Sequence, residues 1–206
     1  MKLEHITYQG EGKANFDSLD FEIPRDLKSL LNQINGFIQY HGGLHIRGVC
    51  QSPDWHSINE VMNGKFAFYK NYAGIIETDI MFAQDCMGDQ YFIRKNIIYK
   101  LYSESGDIEF KDDSFNKFMK RSIEDPIDYL ELQPLLQFQN DGNNLSPGQV
   151  LHATPPFCTQ EAENGVHLGA VPISEALLLL PEMAKVISTL SDGEKFDIKI
   201  VNAPNS

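Results

Sequence analysis

The chain predicts an α+β fold: a central, mostly antiparallel sheet laid out as a meander, with packed helices and a C-terminal extension. Three observations carry this expectation. Between Ile76 and Phe110, the runs Ile80–Ala83, Tyr91–Ile93, Ile97–Tyr102 and Ile108–Phe110 are short and rich in aromatic and β-branched residues. Bounded by turn formers, such runs read as successive strands. Their joints are Asp85–Gln90 with Gly88, Arg94–Lys95–Asn96, and Ser103–Asp107 with Gly106. A parallel crossover needs about a dozen residues or more, so strands joined this closely pair antiparallel. Finally, two amphipathic stretches, one on each side of the strand region, are available to cover a sheet face.

Taken in order, Met1–Asp20 is a polar, glycine-containing lead-in with a short strand near Ile6–Tyr8. The first helix follows Phe21 and Ile23. Pro24 suits its first turn, where a missing N–H costs nothing, and Asp26 sits near its positive end. Leu27, Leu30, Leu31 and Ile34 form one apolar stripe. Asn35–Gly36 ends the helix, with Gly36 free to adopt a left-handed conformation. Leu44–Val49 is a candidate first sheet strand. Trp55, Ile58, Val61 and Met62 have helical spacing, with Asp54 as N-cap and Gly64 as stop.

Within Ile97–Tyr102, the odd positions Ile97, Tyr99 and Leu101 are apolar or aromatic, whereas the even set includes Lys100. Side chains alternate across a strand, so the odd set is expected to face the core and the even set to be wetter. Asp112, Asp113 and Ser114 open the second helix. It runs through Phe115, Phe118, Met119, Ser122 and Ile123 and ends before Pro126.

Composition shifts near Leu130. Pro134 and the polar run Gln137–Ser146 read as a linker or long loop. Beyond it are strand patterns at Gln149–Ala153 and Val166–Ala170 and a helix from Ser174 that Pro181 kinks or restarts. Gly193 is a helix stop, and Phe196, Ile198 and Ile200 alternate as a last strand. The resulting division is a domain over 1–130 and an αβ extension over 131–206 docked on it.

The 206 residues carry 17 Lys and Arg against 29 Asp and Glu, a formal charge of −12. This acidity disfavours nucleic acid and anionic membrane as ligands. Three cysteines, Cys50, Cys86 and Cys158, form no disulfide framework and fit a reducing cytoplasm. The first residues lack the apolar core of a secretory signal, and no run approaches a membrane span.

Chemical motifs are sparse. His41 and His45 have metal-ligand spacing on a helix, but Gly42–Gly43 between them disfavour that helix and no third ligand is evident. Cys86 lacks a nucleophile elbow and a locatable base. Gly10–Lys13 lacks the spacing of a phosphate loop. No catalytic residue, cofactor or metal site is expected. The remaining candidates are carboxylates in or beside the meander turns: Asp79, Asp85, Asp89, Glu104, Asp107 and Glu109. Gathered at one sheet end, they would meet a basic partner and steer its approach. Asp112 and Asp113 are explained by helix capping.

Ile23–Pro24, Asn35–Gly36, Phe82–Ala83, Gly88–Asp89–Gln90–Tyr91, Ser103–Asp107, and Ser114–Phe115 with Phe118 occur in an ordered set over residues 20–130. In this order they resemble the SUKH superfamily, which includes the SMI/KNR-like cell-wall-assembly regulators and many bacterial proteins. The resemblance implies helices packed on a central, mostly antiparallel sheet. It also implies a non-enzymatic bacterial immunity protein that binds and neutralises a cognate toxin domain in contact-dependent competition. For an acidic chain, that toxin is expected to be basic and nuclease-like. Two alternatives are a regulatory scaffold of the cell-wall-assembly type and a hydrolase using Cys86 or a histidine. The family has no shared catalytic constellation, and residues after Leu130 fall outside the pattern.

Overall fold

A computed structural model describes residues 3–190. Seven strands form one sheet: β1 (Ile6–Gln9), β2 (Phe37–Gln39), β3 (Leu44–Ile46), β4 (Ile80–Asp85), β5 (Gln90–Arg94), β6 (Ile97–Leu101) and β7 (Ile108–Asp112). They pair in sequence order, and each neighbouring pair is antiparallel. The expected meander is therefore present and extends through three earlier strands. The turns use residues suited to them: Gly88 and Gly106 have φ of 81° and 82°, and Lys95 and Asn96 have φ of 51° and 67°.

Helix α1 (Arg25–Gln33) buries Leu27, Leu30 and Leu31. It ends at Ile34, and Gly36 takes the expected left-handed conformation at φ 77°. Asn35 is buried rather than solvated. Its side chain accepts the Val49 N–H at 2.7 Å and donates to the Val49 carbonyl at 3.1 Å. Asn-Gly thus joins the helix end to the loop just after β3 as well as terminating the helix. The short helix α2 (Ile58–Met62) lies along β4, where the Met62 sulfur accepts the Met81 N–H at 3.3 Å.

Helix α3 (Phe115–Glu124) is capped by Ser114, whose hydroxyl accepts the Lys117 N–H. Its Phe118 ring lies 4.9 Å from Tyr91 and 5.5 Å from Phe82, so α3 covers the sheet face that carries Tyr91. Tyr91 is the register partner of Lys100, and cross-strand partners share a face. The expectation for β6 therefore holds for Leu101, which is buried, and is reversed for the rest of the strand. Ile98 and Lys100 are buried beneath the helix layer, whereas Ile97 and Tyr99 are half-exposed. Lys100 belongs inside because three carboxylates meet its charge there.

After α4 (Pro126–Tyr129), helix α5 (Gln133–Asn140) occupies part of the stretch expected to be a linker. Pro134 fits its first turn, and Leu135 and Phe138, three residues apart, supply the buried face. β8 (Gln149–Thr154) and β9 (His167–Pro172) form a two-stranded antiparallel sheet, followed by α6 (Ile173–Ile187), which contains Pro181. This region joins the meander at its Asp85–Gln90 turn. Leu151 N–H donates to the Cys86 carbonyl at 2.7 Å, and the apolar core is continuous from Leu27 to Ala184. The helix stop at Gly193 and the strand at Phe196, Ile198 and Ile200 lie outside the described residues. Among the described residues, no helix is long and apolar enough to cross a membrane.

Candidate partner-binding cleft

The six candidate carboxylates separate by burial. Asp79 is fully enclosed. Its two oxygens accept from Arg94 at 2.8 and 2.6 Å, and one also accepts the Ile76 N–H. Asp85 is also enclosed, 2.9 Å from Lys100, and accepts the N–H groups of Met87 and Asp89. These two acids hold turns and answer internal cations, so neither offers a free charge at the surface.

The other four line one cleft. Asp89, Glu104, Asp107 and Glu109, with Tyr102 and Phe157, bound a cavity of about 560 Å³ at the end of the meander. No lysine, arginine or histidine lines it. The Ser103–Asp107 turn and β7 supply one wall, and the loop between β8 and β9 supplies the other. Asp107 and Glu109 are exposed, so their charge reaches solvent. Glu104 is partly enclosed and accepts the Cys158 N–H at 3.3 Å; burial nevertheless raises its pKa. Asp89 sits deepest. It accepts the Ser103 N–H at 2.8 Å and lies 3.2 Å from Lys100. Burial, followed by the neighbouring charge of Asp85, pushes its pKa up to about 7, against the pull of Lys100.

Two aromatic side chains near this end stand exposed: Phe157, 46% exposed, lines the cleft, and Phe110, 59% exposed, follows Glu109 on the opposite face of β7. Isolated exposed apolar residues are ordinary, but an aromatic lining an acidic cleft gives a partner both an anchor and a steering field. Sequence reading missed Phe110, Phe157 and Tyr102. The Pro155–Pro156–Phe157 loop was the available signal, because an aromatic at a proline-braced loop tip is well placed to meet a partner.

Reactive chemistry has poor footing elsewhere. Cys86 is enclosed, and burial raises its thiol pKa well above the ordinary value. Cys158, at the cleft, is pushed up to about 12 by burial and then by Glu104. His45 pairs with His56, not His41: His45 Nε2 and His56 Nδ1 are 2.8 Å apart, with the rings stacked. His56 Nε2 faces the Asn35 carbonyl at 3.2 Å, so it carries a proton and its Nδ1 accepts from His45. Arg47 lies buried near this pair and donates to Gln84 and Gln90, each at 2.7 Å. Among the described residues, no group of three or more His, Cys, Asp or Glu is arranged to hold a metal ion.

This geometry presents negative charge and apolar anchors. Compared with protein-family models and with curated proteins, the chain matches neither.

Proposed function

We propose that the chain is a non-enzymatic, cytoplasmic binding protein of the immunity type, which neutralises a basic, nuclease-like toxin domain by docking on it. The observation that carries this reading is the cleft: the exposed carboxylates of Asp107 and Glu109 with Glu104 beside them, no lysine, arginine or histidine in the lining, and the exposed ring of Phe157 in its wall. A nuclease must attract phosphate, so its active face is positive. An acidic protein gains association rate against such a face and blocks it when seated. The −12 formal charge adds long-range attraction of the same sign. The ordered motifs resembling the SUKH superfamily point to the same class.

The test is to mix the full chain with the protein encoded beside it and measure complex formation and protection from toxicity. Expected is a complex whose association slows as salt rises, because exposed charges separated by more than about 10 Å are screened at 0.1 M salt. Glu109→Lys should slow association about tenfold while leaving the melting temperature unchanged. Absence of both complex and protection would remove the reading for that pair. Capture of wall-synthesis or signalling proteins would support the scaffold alternative.

A further inference from the structure

Strand β7 forms one side of the seven-stranded sheet. Its inner side pairs with β6, Lys100 with Glu109 and Tyr99 with Phe110. Its outer side pairs with no strand among the described residues. Every second backbone N–H and C=O of an edge strand points away from the sheet and can template another strand. Proteins usually guard such edges with an exposed lysine, a proline or a strong bulge. β7 has a register shift near Lys111, but the regular part, Ile108–Phe110, has no proline or cation. Lys111 is turned inward to Glu131 at 3.1 Å.

Two of these residues belong to the site. Ile108 and Glu109 line the acidic cleft, and Phe110 is 59% exposed on the other side of the strand. Glu109 and Phe110 are successive, so they point to opposite faces of the sheet. A strand laid along this edge would therefore meet a carboxylate on one face and an aromatic ring on the other. A segment alternating Lys or Arg with Val or Ile satisfies both at period two. β1, at the opposite side of the sheet, reads Ile-Thr-Tyr-Gln and carries no acidic residue.

We propose that β7 is a docking edge that takes an extended, alternately basic and apolar segment of a partner protein as an eighth strand. This rests on the binding reading above and adds its mode: backbone pairing along β7, with side-chain selection by Glu109 and Phe110.

The probe is the capped peptide Lys-Val-Lys-Val-Lys-Val-Lys-Val, titrated into the full chain while amide exchange is followed residue by residue. Expected is saturable binding with slowed exchange at the outward amides of Ile108–Asp112. A fully N-methylated peptide keeps the charge but loses every backbone donor. It should bind at least about tenfold more weakly, because two lost hydrogen bonds at about 1 kcal/mol each suffice for that. Phe110→Lys should weaken the peptide by a similar factor without lowering the melting temperature. Equal affinity for the two peptides would show attraction by charge alone and overturn the proposal. So would protection of these amides in the free chain that disappears in a chain ending at Leu190, since the chain would then cover its own edge. If the peptide fails while the neighbouring-gene protein binds in a manner sensitive to salt and to Glu109→Lys, strand addition falls and the acidic-surface reading stands. If neither binds, both fall.

Discussion

The ammonium of Lys100 lies 2.8 Å from the carboxylate of Glu131, and this pair joins β6, next to the sheet's edge, to the chain beyond α4. Lys100 also meets Asp85 at 2.9 Å and Asp89 at 3.2 Å. Glu131 reaches Lys111 at 3.1 Å from a backbone with φ of 59°, which a residue with a side chain rarely adopts. The left-handed turn is retained because it aims one carboxylate at two lysines. Removing one partner from a buried ion cluster strands the others. Lys100→Met is therefore expected to cost about 3–5 kcal/mol in urea unfolding. Adding Asp89→Asn should recover part of the loss, and a single variant as stable as the parent would show that the cluster does not hold the fold.

Asp89 provides a titration test. Its folded pKa is raised from 3.8 to about 7, first by burial and then by Asp85. The folded chain thus holds a proton that the unfolded chain has released. The stability from this group is complete below pH 3.8 and is lost as pH rises through about 7. Carboxyl-carbon NMR should find one aspartate titrating near neutrality. The stability of Asp89→Asn relative to the parent should rise across the same interval. An Asp89 that titrates in the ordinary carboxylate range would refute this.

Acid should act through the histidine pair. Burial lowers His56 to about 4 and lowers His45 well below its ordinary value, with Arg47 adding to both effects. A proton on His56 Nδ1 would oppose the N–H that His45 directs at it. Since the unfolded histidines accept protons at 6.5, the pair contributes stability above that pH and loses it as pH falls toward about 4. Trp55, the only tryptophan, lies 5.3 Å from His45 and 5.6 Å from His56, against Tyr8. Its fluorescence should therefore report the transition. A His56→Asn variant should show a flatter stability profile between pH 4 and 6.5; an unchanged profile would mean that other groups govern acid sensitivity.

Gly36 is expected to tolerate no side chain. At φ 77°, a methyl group there would lie 2.5 Å from the Gly48 nitrogen and 2.6 Å from His56 Cε1. Backbone strain and overlap together place Gly36→Ala at about 2–4 kcal/mol of lost stability. Thermal unfolding would measure it, and a loss below about 0.5 kcal/mol would mean that the His56 ring moves aside freely.

Asp79 separates folding from recognition. Asp79→Asn should lower stability, because Arg94 loses an ionised partner at 2.6 Å, while the folded protein keeps its partner affinity. Glu109→Lys should do the reverse. Equal loss of affinity in both variants would place the binding surface elsewhere.

The later strands and helices α1 and α3 were legible because apolar period and turn chemistry agree over Ile80–Phe110, Leu27–Ile34 and Phe115–Ile123. β2 was harder to read, since Phe37, Ile38 and Gln39 are buried in a row with no alternation to mark a face, whereas β3 falls within the candidate strand Leu44–Val49. Lys100 inverted the reading of β6 because its carboxylates come from another strand, a turn and a distant segment. The acids of the cleft were visible as turn residues. Their sorting was not, since burial depends on partners such as Arg94, and the far wall at Cys158 lies 54 positions beyond Glu104.

The seven-stranded sheet has no crossover: each strand lies beside the one made just before it. Loop closure is consequently short at most joints, and topologies of this kind fold quickly for their strand content. During synthesis, each new hairpin can add to a growing ribbon until α3 emerges and seals one face with Phe118. The order of these strands therefore lets the sheet be completed largely in the order of synthesis.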